Sequence, residues 1–147
     1  MPRPLLFDTT ALVAGIRDPA RLPSLRRAAQ ERRSYLTAVT IAELHAGARS
    51  PRQAALIDQL ASLFARYERL LTPSAAEWAA AGRLIARAIA RRGAMEPRDH
   101  YPDVLIAQMA GRVGAAVVTD NVADLRGWVR LGHLDATVPA PGPSGGI

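Results

Sequence analysis

The sequence predicts an α/β fold: a three-layer sandwich in which a central, mostly parallel sheet is flanked by helices. Short apolar runs of strand length, PLLFD, YLTA, RLL and AAVVT, alternate with longer segments whose apolar residues recur at helical intervals. Connections of helical length favour parallel pairing, because an antiparallel neighbour needs only a tight turn. The 147 residues suffice for one domain with its own core, and no internal repeat or linker divides them.

Residues 4–8 are expected as a buried strand that passes directly into a helix over 9–16. Residues 20–33 carry apolar positions at helical spacing, with Arg26, Arg27, Arg32 and Arg33 on the wet side. A second strand is expected over 35–38. Thr40 then caps a helix holding Ile41, Glu43, Leu44 and Ala48, because Thr-x-x-Glu is the capping-box pattern. Residues 51–67 form another helix and 69–71 a third short strand. A long helix opens at Thr72-Pro73, runs to Arg92 and stops at Gly93. Residues 96–101 read as a polar loop; Pro102 opens the next helix, Gly114 ends it, and a strand follows over 115–119. Residues 121–128 are a short helix or turn, and 134–138 an edge strand. Trp78 is expected to pack on the long helix and Trp128 near the end of the domain. That domain spans 1–138, and the tail 139–147, PAPGPSGGI, is expected to be disordered.

Composition narrows function mainly by exclusion. All 19 basic residues are arginine. Without lysine there is neither a P-loop nor a Schiff-base mechanism. Receiver domains and HAD-type phosphatases, which also place an Asp after an early strand, usually need a Lys as well. The absence of cysteine removes disulfides, thiolate zinc sites and cysteine nucleophiles. No apolar run approaches the ~20 residues of a membrane span, and MPRPLLFDTT reaches an acid too soon for a signal peptide, so a cytoplasmic protein without membrane contact is expected. A net charge of +6 favours an anionic partner, and arginine grips phosphate bidentately. A GC-rich coding sequence would produce the same excess of arginine and alanine.

Four acids interrupt or end apolar runs: Asp8, Glu43, Asp103 and Asp120. A carboxylate beside buried apolar residues is costly unless its charge is compensated. Each has a local structural explanation. Asp8 suits an N-cap, Glu43 the capping box with Thr40, Asp103 a helix amino end, and Asp120 a turn. One shared cause is more economical. The acids follow one another at intervals of 35, 60 and 17 residues, which matches successive strand ends when each βα unit takes ~30 residues. Ligands bind at those ends, and grouped carboxylates there make a site for a hard cation, Mg²⁺ or Mn²⁺.

The segments LLFDTTALV, VTIAELHAGA and PDVLIAQMAGRVGAAVVTDNVADL resemble the motifs of the PIN-domain family, and within it those of the VapC-type toxin ribonucleases. The resemblance runs from Leu5 to Leu125. It implies a PIN-like sandwich, a cluster of three or four acids binding Mg²⁺ or Mn²⁺, RNA cleavage and a small antitoxin that blocks the site. Asp8 matches the first-strand acid, Glu43 the helix acid and Asp103 the acid before the LIA stretch. The fourth motif, Thr followed by any residue and then Asp or Asn, aligns Thr119 and Asn121. Asp120 stands one place earlier and Asp124 is a more peripheral match, so the fourth position stays open between them. Thr10 stands where the family usually has Asn or Ser. The resemblance also implies a homodimer, for which Leu56, Ile57, Leu60, Leu63 and Phe64 offer either a face or the monomer's own core. A catalytically silent RNA- or protein-binding module and a housekeeping RNA-maturation nuclease are the alternatives. Any operator DNA contact is expected of the antitoxin, since nothing here resembles a helix-turn-helix.

Other polar residues are less informative. His45, His100 and His133 show no ligand spacing, and Pro102 sets Asp99 outside the helix that carries Asp103. Arg83, Arg87 and Arg91 recur every four residues, with Arg92 and Arg98 beyond. They form either a solvated face or a stripe that grips RNA phosphates. Thr10, Thr119, Arg87, Arg91 and Arg98 are the candidate substrate-binding residues.

Overall fold

The computed structural model describes residues 2–140 apart from residue 32. Strands β1 (Leu5–Phe7), β2 (Ser34–Thr37), β3 (Leu70–Leu71) and β4 (Ala116–Val118) stand in the order β3-β2-β1-β4 and pair in parallel throughout. In register, Leu6 lies between Tyr35 and Val117. Successive residues of a strand point to opposite faces. Leu6, Tyr35 and Val117 accordingly join one apolar cluster, while Phe7 and Leu36 join the other.

Helices α1 (Thr9–Arg17), α2 (Leu22–Glu31) and α4 (Pro51–Arg66) cover the Phe7 face. Helices α5 (Ala75–Arg92), α6 (Pro97–Val113) and α7 (Val122–Leu131) cover the Leu6 face. The expected three-layer sandwich is present. Helix α3 (Ala38–Ala46) continues directly from β2 and joins the layers, packing Val39 against one cluster and Leu44 into the other. No helix is long and apolar enough to cross a membrane among the described residues.

Several boundaries depart from the sequence reading, each for a local reason. Helix α3 begins earlier, because Thr37 is its N-cap and accepts from the Thr40 amide at 3.0 Å. Thr40 therefore lies inside the helix, fully buried, and no capping box joins it to Glu43. The capping box of this fold is on α5, where Ser74 and Glu77 each accept from the other's backbone amide, so the helix opens after Pro73. A single 3₁₀ turn, Pro19–Arg21, precedes α2. The segment 96–101 is not a loop. Glu96 caps α6, Pro97 takes the first helical position, and Pro102 sits inside the helix. Proline fits the first turn best, and two prolines five residues apart compete for that place. At Pro102 the helix forgoes one backbone bond, to the Arg98 carbonyl.

The expected edge strand over 134–138 reduces to one parallel bridge, Ala116 to Thr137, flanked by Val117 N–H to Thr137 O at 2.8 Å. Trp128 is buried as expected, but Trp78 is 49 % exposed, its ring tilted against that of Tyr101. Ile57 and Phe64 belong to the core, whereas Leu56, Leu60 and Leu63 line a groove between α4 and α2. Of the tail expected to be disordered, residues 141–147 lie outside the described residues.

Helix α6 ends on Gly114, whose φ of 65° is left-handed. A Cβ there would meet the Asp135 carboxylate only at an ordinary 3.6 Å, so backbone strain dominates. Gly114→Ala should cost about 1 kcal/mol, measured by denaturant melts.

Candidate functional site

The order β3-β2-β1-β4 reverses its direction of winding between β1 and β4, and in such a sheet a crevice opens at the carboxyl ends of those two strands. Asp8 is the first residue beyond β1. It is 2 % exposed, and its amide donates to the Val118 carbonyl of β4 at 3.1 Å. The side chain does cap α1, with Oδ1 accepting from the Ala11 amide at 3.1 Å. Two hydroxyls complete its shell: Thr10 donates to Oδ1 at 2.7 Å and Thr119 donates to Oδ2.

Each hydroxyl has one proton and gives it to Asp8, so the 3.2 Å approach of Thr10 Oγ1 to Thr119 Oγ1 adds no further bond. Their lone pairs are used as well. Thr10 accepts from the Asp120 amide at 2.9 Å and Thr119 from the Asn121 amide at 2.8 Å. The turn after β4 is thus bonded through two threonines to one buried carboxylate.

Glu43 reaches the same region from α3. Its Oε1 accepts from the Thr9 hydroxyl at 2.7 Å, and that hydroxyl stands 3.4 Å from the Thr40 hydroxyl. Asp103 comes from α6. Burial, then the charges of Asp8, Glu43 and Asp124, push its carboxyl up to about 6, and His100 offsets part of this. Asp8, Glu43 and Asp103 therefore converge electrostatically. None of the ion pairs among the described residues reaches any of them, although the chain holds 19 arginines. Among the described residues no arginine pairs with any of the three acids.

For the fourth position, the Asp120 side chain is exposed and does not figure among the charges that act on Asp103. Asn121, at the N-cap position of α7, donates from Nδ2 to Asp103 Oδ2 at 3.2 Å. Asp124, one helical turn on, acts on Asp103 as well. Of the substrate-binding candidates, Thr10 and Thr119 spend their protons on Asp8. Arg87 donates to the Leu131 carbonyl at 3.2 Å and so caps α7. Arg98 pairs with Glu96, and Arg91 is exposed in the last turn of α5.

Three participants escaped the sequence reading: Thr9, Thr40 and His100. His100 precedes Asp103 by one turn of α6 and lies against the Trp128 ring at 5.7 Å. That relation becomes visible only once the helix is known to begin at Pro97. Asp99 shares the same first turn but is not among the groups acting on Asp103.

The donor set is oxygen-rich, carries an uncompensated negative charge and suits a hard divalent cation. As placed, no three carboxylate or imidazole groups stand close enough to hold one ion together among the described residues. Both oxygens of Asp8 are turned to hydroxyl donors. The residues present fit such an ion in chemistry and in unbalanced charge.

No curated protein matches the chain closely enough to count as a relative. The PIN domain model matches residues 5–124, a span that takes in β1 to Asp124 and every acid of the cluster. PIN domains are generally nucleases that use divalent metal ions. The match covers most of the chain and agrees with the parallel sheet and the acids at its carboxyl end, and the chain belongs to the PIN domain family.

Proposed function

We propose that this protein is a Mg²⁺- or Mn²⁺-dependent endoribonuclease and the toxin of a toxin–antitoxin pair. The observation that carries the reading is the unpaired convergence of Asp8, Glu43 and Asp103 in a chain rich in arginine. Acids kept apart from so many guanidinium groups serve a charge that arrives from outside. Asp8 and Asp103 would hold the ion, with Glu43 and either Asn121 or Asp120 beside them. When bound, such an ion activates water and neutralises phosphate charge. The residues of the chain supply position. The threonine pair fixes Asp8, Asn121 fixes Asp103, and exposed arginines such as Arg91 hold neighbouring phosphates without reading sequence. Hydrolysis by water, rather than attack by the ribose 2′-hydroxyl, leaves a 5′-phosphate and a 3′-hydroxyl.

The same pit suits an inhibitor. A small antitoxin whose carboxyl-terminal segment folds on binding would place an Arg or Lys among Asp8, Glu43 and Asp103, and coupled folding would leave it open to proteolytic release. The purified chain is expected to cut single-stranded RNA in Mg²⁺ or Mn²⁺, to stop in EDTA, and to leave 5′-phosphate ends. Its expression should arrest growth, and the product of the adjacent small gene should restore it. Metal-independent cutting would overturn the nuclease reading. Growth unaffected by high expression of a chain that cuts RNA in vitro would overturn the toxin reading alone.

A further inference from the structure

We infer that Thr9 is a positioning residue that acts through Glu43; the inference rests on the metal-dependent reading above. Thr9 occupies the first position of α1, where a β-branched residue has no propensity advantage. The cap of that helix is already made by Asp8, whose carboxylate accepts from the Ala11 amide. Among the described residues, the Thr9 hydroxyl meets no backbone group. It crosses to α3 and donates to Glu43 Oε1 at 2.7 Å.

Glu43 depends on this contact. It is partly buried, has no cationic partner among the described residues, and its Oε2 accepts no other hydrogen bond there. A glutamate on a helix turns about three side-chain bonds, and ordering it carries an entropic cost. One strong bond at Oε1 orders the carboxylate and leaves Oε2 for a ligand beside Asp103, on whose carboxyl Glu43 already acts. The nearby Thr40 hydroxyl, fully buried at 3.4 Å from Thr9 Oγ1, limits where the Thr9 side chain can turn. Thr9 thus does for Glu43, across the gap from α1 to α3, what Thr10 and Thr119 do for Asp8.

The test compares wild type, Thr9→Val, Thr9→Ser, Glu43→Ala and the Thr9→Val/Glu43→Ala double variant. Two readouts are taken: the Mn²⁺ concentration that half-saturates thermal stabilisation, and the rate of RNA cleavage at saturating Mn²⁺. Loss of a partner that orients a ligand weakens metal binding by about 10–100-fold. Thr9→Val should therefore raise the half-saturating Mn²⁺ about tenfold, and Thr9→Ser should restore it. The double variant should match Glu43→Ala alone, because with the carboxylate gone the Thr9 hydroxyl has nothing there to orient. A Thr9→Val protein that takes up Mn²⁺ like wild type, or effects that add in the double variant, would overturn the inference while leaving the nuclease reading intact. Should Thr9→Val not fold, Thr9→Ala carries the same comparison. Wild type that Mn²⁺ neither stabilises nor activates would instead remove the metal-dependent reading, and the inference with it.

Discussion

Replacing Asp103 by asparagine is expected to abolish cleavage and, at neutral pH, to make the metal-free protein more stable. Loss of activity should reach about 10²–10³-fold, the scale for removing a group that stabilises charge in the transition state. The gain in stability follows from a carboxyl raised to about 6 from its ordinary 3.8 by burial and by Asp8, Glu43 and Asp124. A folded-state pKa above the unfolded one means that stability is complete below pH ~4 and is lost as the pH rises through ~6. The variant has no such loss. It should match wild type near pH 4 and exceed it above pH 7 by on the order of 1–2 kcal/mol, once screening at this partly exposed group is allowed for. Asn121 keeps a partner, since an asparagine at 103 still offers a carbonyl oxygen. Melts at pH 4 and 7.5, with and without Mn²⁺, check all of this. Wild type should gain stability from the ion and the variant should not. Equal melts at the two pH values for both proteins would sink the electrostatic account of the site.

The second large effect is structural. Arg112 of α6 reaches Glu77 with Nε at 3.2 Å and also with Nη2, which donates at 2.8 Å to the Thr72 carbonyl as well. Glu77 simultaneously caps α5 through the Ser74 amide. Burial works to raise the Glu77 carboxyl, but the hydrogen bonds from Arg112 and Ser74 outweigh it and hold the pKa below its ordinary value. Arg112→Ala leaves that charge in a side chain only 12 % exposed. Breaking a fully buried pair costs about 3–5 kcal/mol, and the partly exposed arginine reduces this to about 2–3 kcal/mol. Because the folded pKa is lowered, the contribution is present above the ordinary carboxylate range and disappears as the pH falls through the folded value. Urea melts at pH 7 should show the loss in full, and at acid pH far less of it. Cleavage by the folded fraction should not change. A fall in turnover without a fall in stability would place Arg112 in the site rather than in the scaffold.

The contrast between these carboxylates shows what could be read from the chain. The apolar run through Leu6 and Phe7 and the acids that follow apolar runs were local signals, and they pointed to the sheet and to the crevice beside which Asp8, Glu43 and Asp103 stand. Pairings across elements were not local. Nothing near Thr9 announces Glu43, and nothing near Glu77 announces Arg112, 35 residues away. The start of α6 was misread because Pro97 and Pro102 both satisfy the requirement for a first turn, and only the Glu96 cap decides between them. Asp120 drew attention as an acid at a strand end. It is its neighbour Asn121, uncharged, whose side chain meets Asp103.

The pairing of β1 with β4 sets an order of events during synthesis. Thr119 lies 111 residues after Asp8 in the chain, and the amides of the turn behind it come later still. Contacts of such separation form only after the intervening chain exists, and domains complete as units when their last elements emerge. A growing polypeptide that already carries Asp8 and Glu43 still lacks Asp103 and the lock on Asp8. The complete set of acids therefore comes together late, after nearly the whole domain has been translated. Under the proposed ribonuclease reading, the message and the ribosome that make the chain are spared until this domain is complete.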